Sequence, residues 1–150
     1  MKGRVVAVCR SIERGKRKED FGLGFFEKGL GLQGDAHAGT EKEVSILIKE
    51  KVDELSNQTG LFFPPGAFAE NLLIAGLNQS GLLPGIRLKV GSAALLIERI
   101  GKEKDVTHSY NFLGYSLLPD YGVFAKVIES GAVKNGDEVE ILLPFSKEGA

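Results

Sequence analysis

The chain has 150 residues, 43% of them hydrophobic and 26% charged, which is a globular composition and sets intrinsic disorder aside. A formal net charge of −1 argues against a broad electrostatic footprint for nucleic acid or for an anionic membrane. The single cysteine, Cys9, excludes an intrachain disulfide framework.

Val5 to Val8 is short, continuous and rich in valine, and predicts a buried strand. The apolar run around it is too short for a signal peptide or a membrane span, so a cytoplasmic protein is expected. The basic run Arg14-Gly15-Lys16-Arg17-Lys18 is followed at once by Glu19 and Asp20. Such a run reads as a solvated loop, with a contact site for an anionic ligand or partner as the alternative. Val44 to Ile48 predicts a second strand. Lys49 to Gln58 predicts a helix, because Val52 and Leu55 share a side with Ile48 one turn earlier, and Gly60 can end it. A shorter helix is expected near Phe68 to Leu72.

Further strands are expected at Ile86–Val90, Ala93–Ile97, Gly122–Ile128 and Val139–Leu143. Pro84-Gly85 and Asn135-Gly136-Asp137 supply turns ahead of the first and last of these. Many short strands with one or two short helices imply a mainly β fold, closed or nearly closed into a barrel, since closure removes edges that template aggregation. No linker or low-complexity stretch divides residues 1–150, so a single domain is expected.

Three segments carry the candidate chemistry. In Gly31 to Gly39, glycines such as Gly34 and Gly39 permit turns that bring backbone N–H groups to a ligand. Asp35 and His37 lie two apart and share a face in an extended segment, where they can bind a polar ligand. Alternatively Asp35 satisfies its own loop as an Asx turn. In Phe68 to Asn71, Glu70 and Asn71 precede the apolar run Leu72–Leu77. They either read a heteroaromatic ring or cap local backbone. In Arg99 to His108, the cations Arg99, Lys102 and Lys104 follow an apolar strand and can hold a phosphate or oxyanion, with solvated loop charges as the alternative. His37 and His108 are the only histidines and no zinc-type Cys/His spacing occurs, so no protein-ligated metal is expected. Cys9 belongs to an apolar strand pattern and reads as core, leaving it a weak candidate nucleophile.

Together these segments resemble the MOSC domain family, named from the C-terminal domain of molybdenum cofactor sulfurases, in its short stand-alone bacterial form. The resemblance runs from Val5–Cys9 through Leu32-Gln33-Gly34-Asp35-Ala36-His37-Ala38-Gly39, Val44–Leu47, Phe68-Ala69-Glu70-Asn71-Leu72 and Leu83–Gly91 to Ile100–Glu103, Gly122–Val127 and Gly131–Val139. It implies a barrel similar to the β-barrel of pyruvate kinase. It also implies a link to molybdenum cofactor or sulfur handling: sulfur carriage from a pyridoxal-phosphate-dependent cysteine desulfurase, or binding of the molybdopterin cofactor itself. The partners it implies are such a desulfurase, a molybdoenzyme or a cofactor-biosynthesis protein.

The chain departs from the family pattern at two places, one of them a further cysteine usual a few residues before a Met-Pro or Leu-Pro step, where Tyr115-Ser116 lie in this sequence. Relatives of this type read Gly-Lys-Glu-Cys-His and then, after two residues, a second cysteine. Here Lys104 stands where the first cysteine is expected, Asp105 where the histidine is, and His108 where the second cysteine is. Sulfur transfer and metal–thiolate bonding both need a thiolate, which a lysine ammonium does not supply, although it can hold an anion. Three functions therefore remain open: an anion-binding protein without sulfur transfer, a sulfur carrier using Cys9, and a protein-interaction module without a small ligand.

Overall fold

A computed structural model describes residues 2–41, 43–101 and 111–142. Its strands are β1 (Lys2–Arg10), β2 (Glu19–Asp20), β3 (Leu23–Glu27), β4 (Gly31–Leu32), β5 (Val44–Ile48), β6 (Leu72–Ala75), β7 (Arg87–Val90), β8 (Ala93–Ile100), β9 (Val123–Glu129), β10 (Gly131–Lys134) and β11 (Glu138–Leu142). Two helices accompany them, α1 (Lys49–Thr59) and the single turn α2 (Leu118–Tyr121).

Seven strands close on themselves in the order β1-β6-β5-β9-β8-β7-β11, and β11 pairs back onto β1 with Gly3 opposite Val139. The structure is therefore the closed barrel that the strand pattern predicts. Among the described residues the one parallel pairing is β5 with β6, and α1 makes the crossover that parallel neighbours require. α1 ends where Gly60 takes a left-handed conformation (φ 73°) and donates its N–H to the Ser56 carbonyl.

Alternation along the strands sorts side chains to two sides. Val8, Ile46, Ile74, Leu88, Leu95 and Val127 belong to the larger apolar cluster. A second cluster collects the other faces: Cys9 of β1, Leu47 of β5, Leu73 of β6 and Phe124 of β9 pack with Val52 of α1 and with Phe63 and Phe68. In β1 the register against β6 shifts between Val5 and Ala7, which lets Val5 and Val8, three residues apart, both join the larger cluster.

The structure corrects several boundaries. Phe68 to Leu72 is not helical: Ala69 has φ 69°, incompatible with a right-handed helix, and Leu72 already begins β6. The second helix lies instead at Leu118–Tyr121. β8 runs on to Ile100, and β3 and β10 form a small sheet with β4 that the sequence pattern did not indicate. β11 closes at Leu142, and Leu143 lies outside the described residues.

Candidate functional site

The basic run from Arg14 is not uniformly solvated. Arg14, Lys16 and Arg17 are exposed, but Lys18 turns inward and is 2% accessible. Its Nζ donates to Oδ1 of the buried Asp35 at 2.7 Å, an ion pair shielded from water on both sides. Its backbone N–H donates to the Gly66 carbonyl at 2.9 Å. An ammonium taken out of water needs such a partner, because desolvation of an unpaired charge is costly.

Asp35 organises the loop that carries it. Oδ1 also accepts the Ser11 N–H at 3.2 Å and Oδ2 accepts the His37 N–H at 3.1 Å, the geometry of an Asx turn. Burial pushes its carboxyl upward, but the Lys18 hydrogen bond and charge, with the His37 and Ser11 N–H groups, outweigh this and hold it below its ordinary value. The Gly39 N–H closes the loop on the Leu30 carbonyl at 2.7 Å. His37 is half-buried in the same loop.

Glu70 and Asn71 are buried, and their polar atoms hold backbone. The Glu70 carboxylate accepts the N–H groups of Gly66 at 2.8 Å and Phe68 at 3.1 Å. Burial nevertheless pushes its carboxyl up to about 7, against the pull of those N–H groups and of Lys18. Asn71 ties three strands together. Its Oδ1 accepts the Ser45 N–H at 3.0 Å and its Nδ2 donates to the Cys9 carbonyl at 3.1 Å. Of the two readings open for this pair, the geometry matches backbone capping.

Cys9 has no accessible surface, and burial pushes its thiol well above the ordinary value, with Glu70 and Asp20 adding to the rise. Arg99 does not join Asp35 or Glu70; its guanidinium lies 5.0 Å from the ring centre of Phe124, across the β8–β9 pairing. Lys102 and Lys104 lie outside the described residues.

Residues flanking the Lys18–Asp35 pair line an open cleft of about 650 Å³. Ser11 and Gly34, neighbours of the buried pair, line it together with Arg10, Lys16, Arg17 and Phe21. The Arg10 guanidinium lies 4.2 Å from the Phe21 ring centre and reaches the Gln33 carbonyl at 3.4 Å, so its plane is oriented. Lys16 pairs with Glu13 at 2.6 Å on the rim. Arg17 makes no ion pair among the described residues. Three cations thus face two carboxylates, Glu13 and Glu19, in a protein whose net charge is −1. Guanidinium groups with donors to spare suit phosphate and carboxylate oxygens.

The sequence singles out Gly34 and Asp35 individually and the run Arg14–Lys18 only as a whole, and it gives Arg10 no signal. Nothing in a run of five residues marks which cation folds inward; only the return of the chain past Gly66 does so.

A model of the MOSC domain matches residues 33–100. The structure is similar to that of the YUAD protein from Bacillus subtilis, with a TM-score of 0.76 and 20% identity over 94% of this chain and 96% of that one. It is also similar to YiiM from Escherichia coli, with a TM-score of 0.68 and 22% identity over 98% of this chain and 72% of that one. YiiM from Geobacillus stearothermophilus gives a TM-score of 0.62 at 16% identity, over 94% and 73%. These likenesses establish a shared fold. Among curated proteins none matches the sequence.

Proposed function

We propose that this chain, of which residues 33–100 match a model of the MOSC domain, works as a member of that family and binds a small anionic ligand of the molybdopterin class without transferring sulfur. The observation that carries this reading is the cleft in which Arg10 and Arg17 stand over a loop fixed by the Lys18–Asp35 pair. A loop held by a buried ion pair and by Ser11 and His37 N–H groups offers a preorganised wall, so little ordering is needed on binding.

The side chains fit the anionic part of such a cofactor. Arg10 and Arg17 supply forked donors for a phosphate, and Phe21 supplies an aromatic face beside them. They do not fit a thiolate-ligated metal: the only cysteine is enclosed, and no cluster of histidine, cysteine and carboxylate groups suited to a metal occurs among the described residues. When bound, molybdopterin would bring its own dithiolene sulfurs to a metal; this chain's part is to bind and orient the anionic end. The enclosure of Cys9 and the amine at position 104 both support loss of sulfur transfer, since a persulfide requires an accessible thiolate. A partner desulfurase then has no acceptor on this chain, and a molybdoenzyme or cofactor-biosynthesis protein is the fitting recipient of the ligand. No helix among the described residues is long and apolar enough to cross a membrane.

Isothermal titration with inorganic phosphate and with purified molybdopterin tests the reading. Both are expected to bind, and Arg17→Ala is expected to weaken both at least tenfold. Undiminished affinity in Arg17→Ala and Arg10→Ala proteins would overturn the cleft as the site.

A further inference from the structure

One face of the small sheet is unusually apolar for a surface. Leu23 and Phe25 of β3 alternate with the inward Gly24 and Phe26, so they project to the same side, and they are 57% and 41% exposed; Phe21, just ahead of the strand, is 52% exposed. Ala132 of β10 lies opposite Phe25 and is also exposed. Phe21 lines the cationic cleft, as does Ile12, which is 84% exposed. These exposed apolar residues thus follow one another in sequence from the cleft at Phe21 to Leu23 and Phe25 on β3. Large exposed apolar residues scattered singly need no explanation, but several close in sequence beside a charged cleft mark an interaction surface.

Resting on the anion-binding reading of the cleft, we infer that this surface docks an extended, acidic-apolar segment of a partner protein. Its carboxylate sits between Arg10 and Arg17, and its apolar side chains lie on Phe21, Leu23 and Phe25. Charge complementarity favours this occupant. The cationic excess is confined to the cleft end, where Arg17 has no ionic partner among the described residues. The rest of the stripe is bordered by charges of both signs: Glu27, held by Gln33, and Lys134, held by Asp137. A single acidic group at one end of an apolar segment matches that pattern. An anionic bilayer does not, because Glu13, Glu19 and Glu27 would face it as well. The geometry matches too: same-side residues on β3 recur about every 7 Å, the repeat of an extended partner segment. A ligand carried by this domain would then leave or enter the cleft as the partner's acidic residue takes its place.

The test uses the full chain and a fluorescein-labelled peptide of paired aspartates followed by alternating leucine and serine, read by anisotropy, with phosphate titrated in parallel. The peptide is expected to bind and to be displaced by phosphate. Leu23→Thr with Phe25→Thr is expected to weaken the peptide at least tenfold while leaving phosphate affinity unchanged; both sites are exposed, and thermal melts verify folding. Arg17→Ala is expected to weaken both ligands. Peptide binding indifferent to the stripe substitutions overturns the inference and leaves the cleft reading standing. Failure of phosphate and peptide alike overturns both. Peptide binding that responds to the stripe but not to Arg17→Ala or phosphate overturns the placement of the acidic end. Sedimentation with phosphatidylglycerol vesicles, or stripe-dependent self-association, in place of peptide binding would also overturn it.

Discussion

The Lys18 ammonium stands 2.7 Å from Oδ1 of Asp35, and neither side chain reaches solvent. Removing one member of such a pair leaves the other charged, desolvated and alone. Lys18→Met is expected to lower stability by about 3–5 kcal/mol, and Asp35→Asn to act in the same direction. The double change Lys18→Met with Asp35→Leu is expected to cost less than the two single changes added together, because it removes both charges. Urea denaturation of the four proteins measures this. The acid side follows from the same contact. The folded Asp35 carboxyl is held below its ordinary 3.8, so its contribution is present above that value and lost as pH falls through the folded one.

Glu70 acts in the opposite sense. Its carboxyl rises from 4.5 to about 7, so the folded protein holds a proton that the unfolded chain has released across that interval. Its contribution to stability is complete below pH 4.5 and is lost as pH climbs toward 7, by about 3 kcal/mol across the interval. The difference in unfolding free energy between the parent and Glu70→Gln is expected to vary with pH between these values and to level off above them. A difference that stays flat from pH 4.5 to 7 would show that Glu70 is ionised throughout.

The Cys9 thiol is expected to be inert in the folded protein. It has no accessible surface and is pushed toward the neutral form. Ellman's reagent at neutral pH should react only after guanidinium is added, and incubation with a cysteine desulfurase and cysteine should leave no persulfide on the intact mass. Rapid labelling of native protein would restore Cys9 as a sulfur carrier.

Gly66 is expected to tolerate no side chain. Its φ of 83° is left-handed, and a Cβ there would run into the backbone carbonyl of Lys18. Gly66→Ala should cost at least about 2 kcal/mol and loosen the Lys18 N–H contact with it, which thermal melts and hydrogen exchange at Lys18 would report. Gly60→Ala, which has the same backbone sign but open space around it, should cost less.

Strands facing a core on one or both sides were legible because their residues carry the signal themselves: Val44–Ile48 is continuous, β-branched and buried along its whole length. Leu23–Glu27 was not, because Gly24 occupies an inward position against Leu32 while Leu23 and Phe25 point to solvent, inverting the usual pattern. Gly131–Lys134 carried no strand signal for a similar reason, with glycine where a core residue is expected. The short helix expected near Phe68 failed on Ala69, whose backbone is left-handed, in a turn where the buried Glu70 carboxylate accepts the Gly66 and Phe68 N–H groups. At the site, Asp35 and Gly34 stood out through loop chemistry. Their partners Lys18 and Arg10 became evident only through contacts made across 17 and 23 residues of sequence.

The strand that begins the barrel is also the neighbour of the one that completes it, since β1 accepts β11. On a translating ribosome the growing chain therefore carries β1 with a vacant flank until residues 138–142 emerge. Until that moment every earlier strand can be in place and the ring still gapes, leaving the backbone of Lys2, Gly3 and Arg4 as an open edge for pairing.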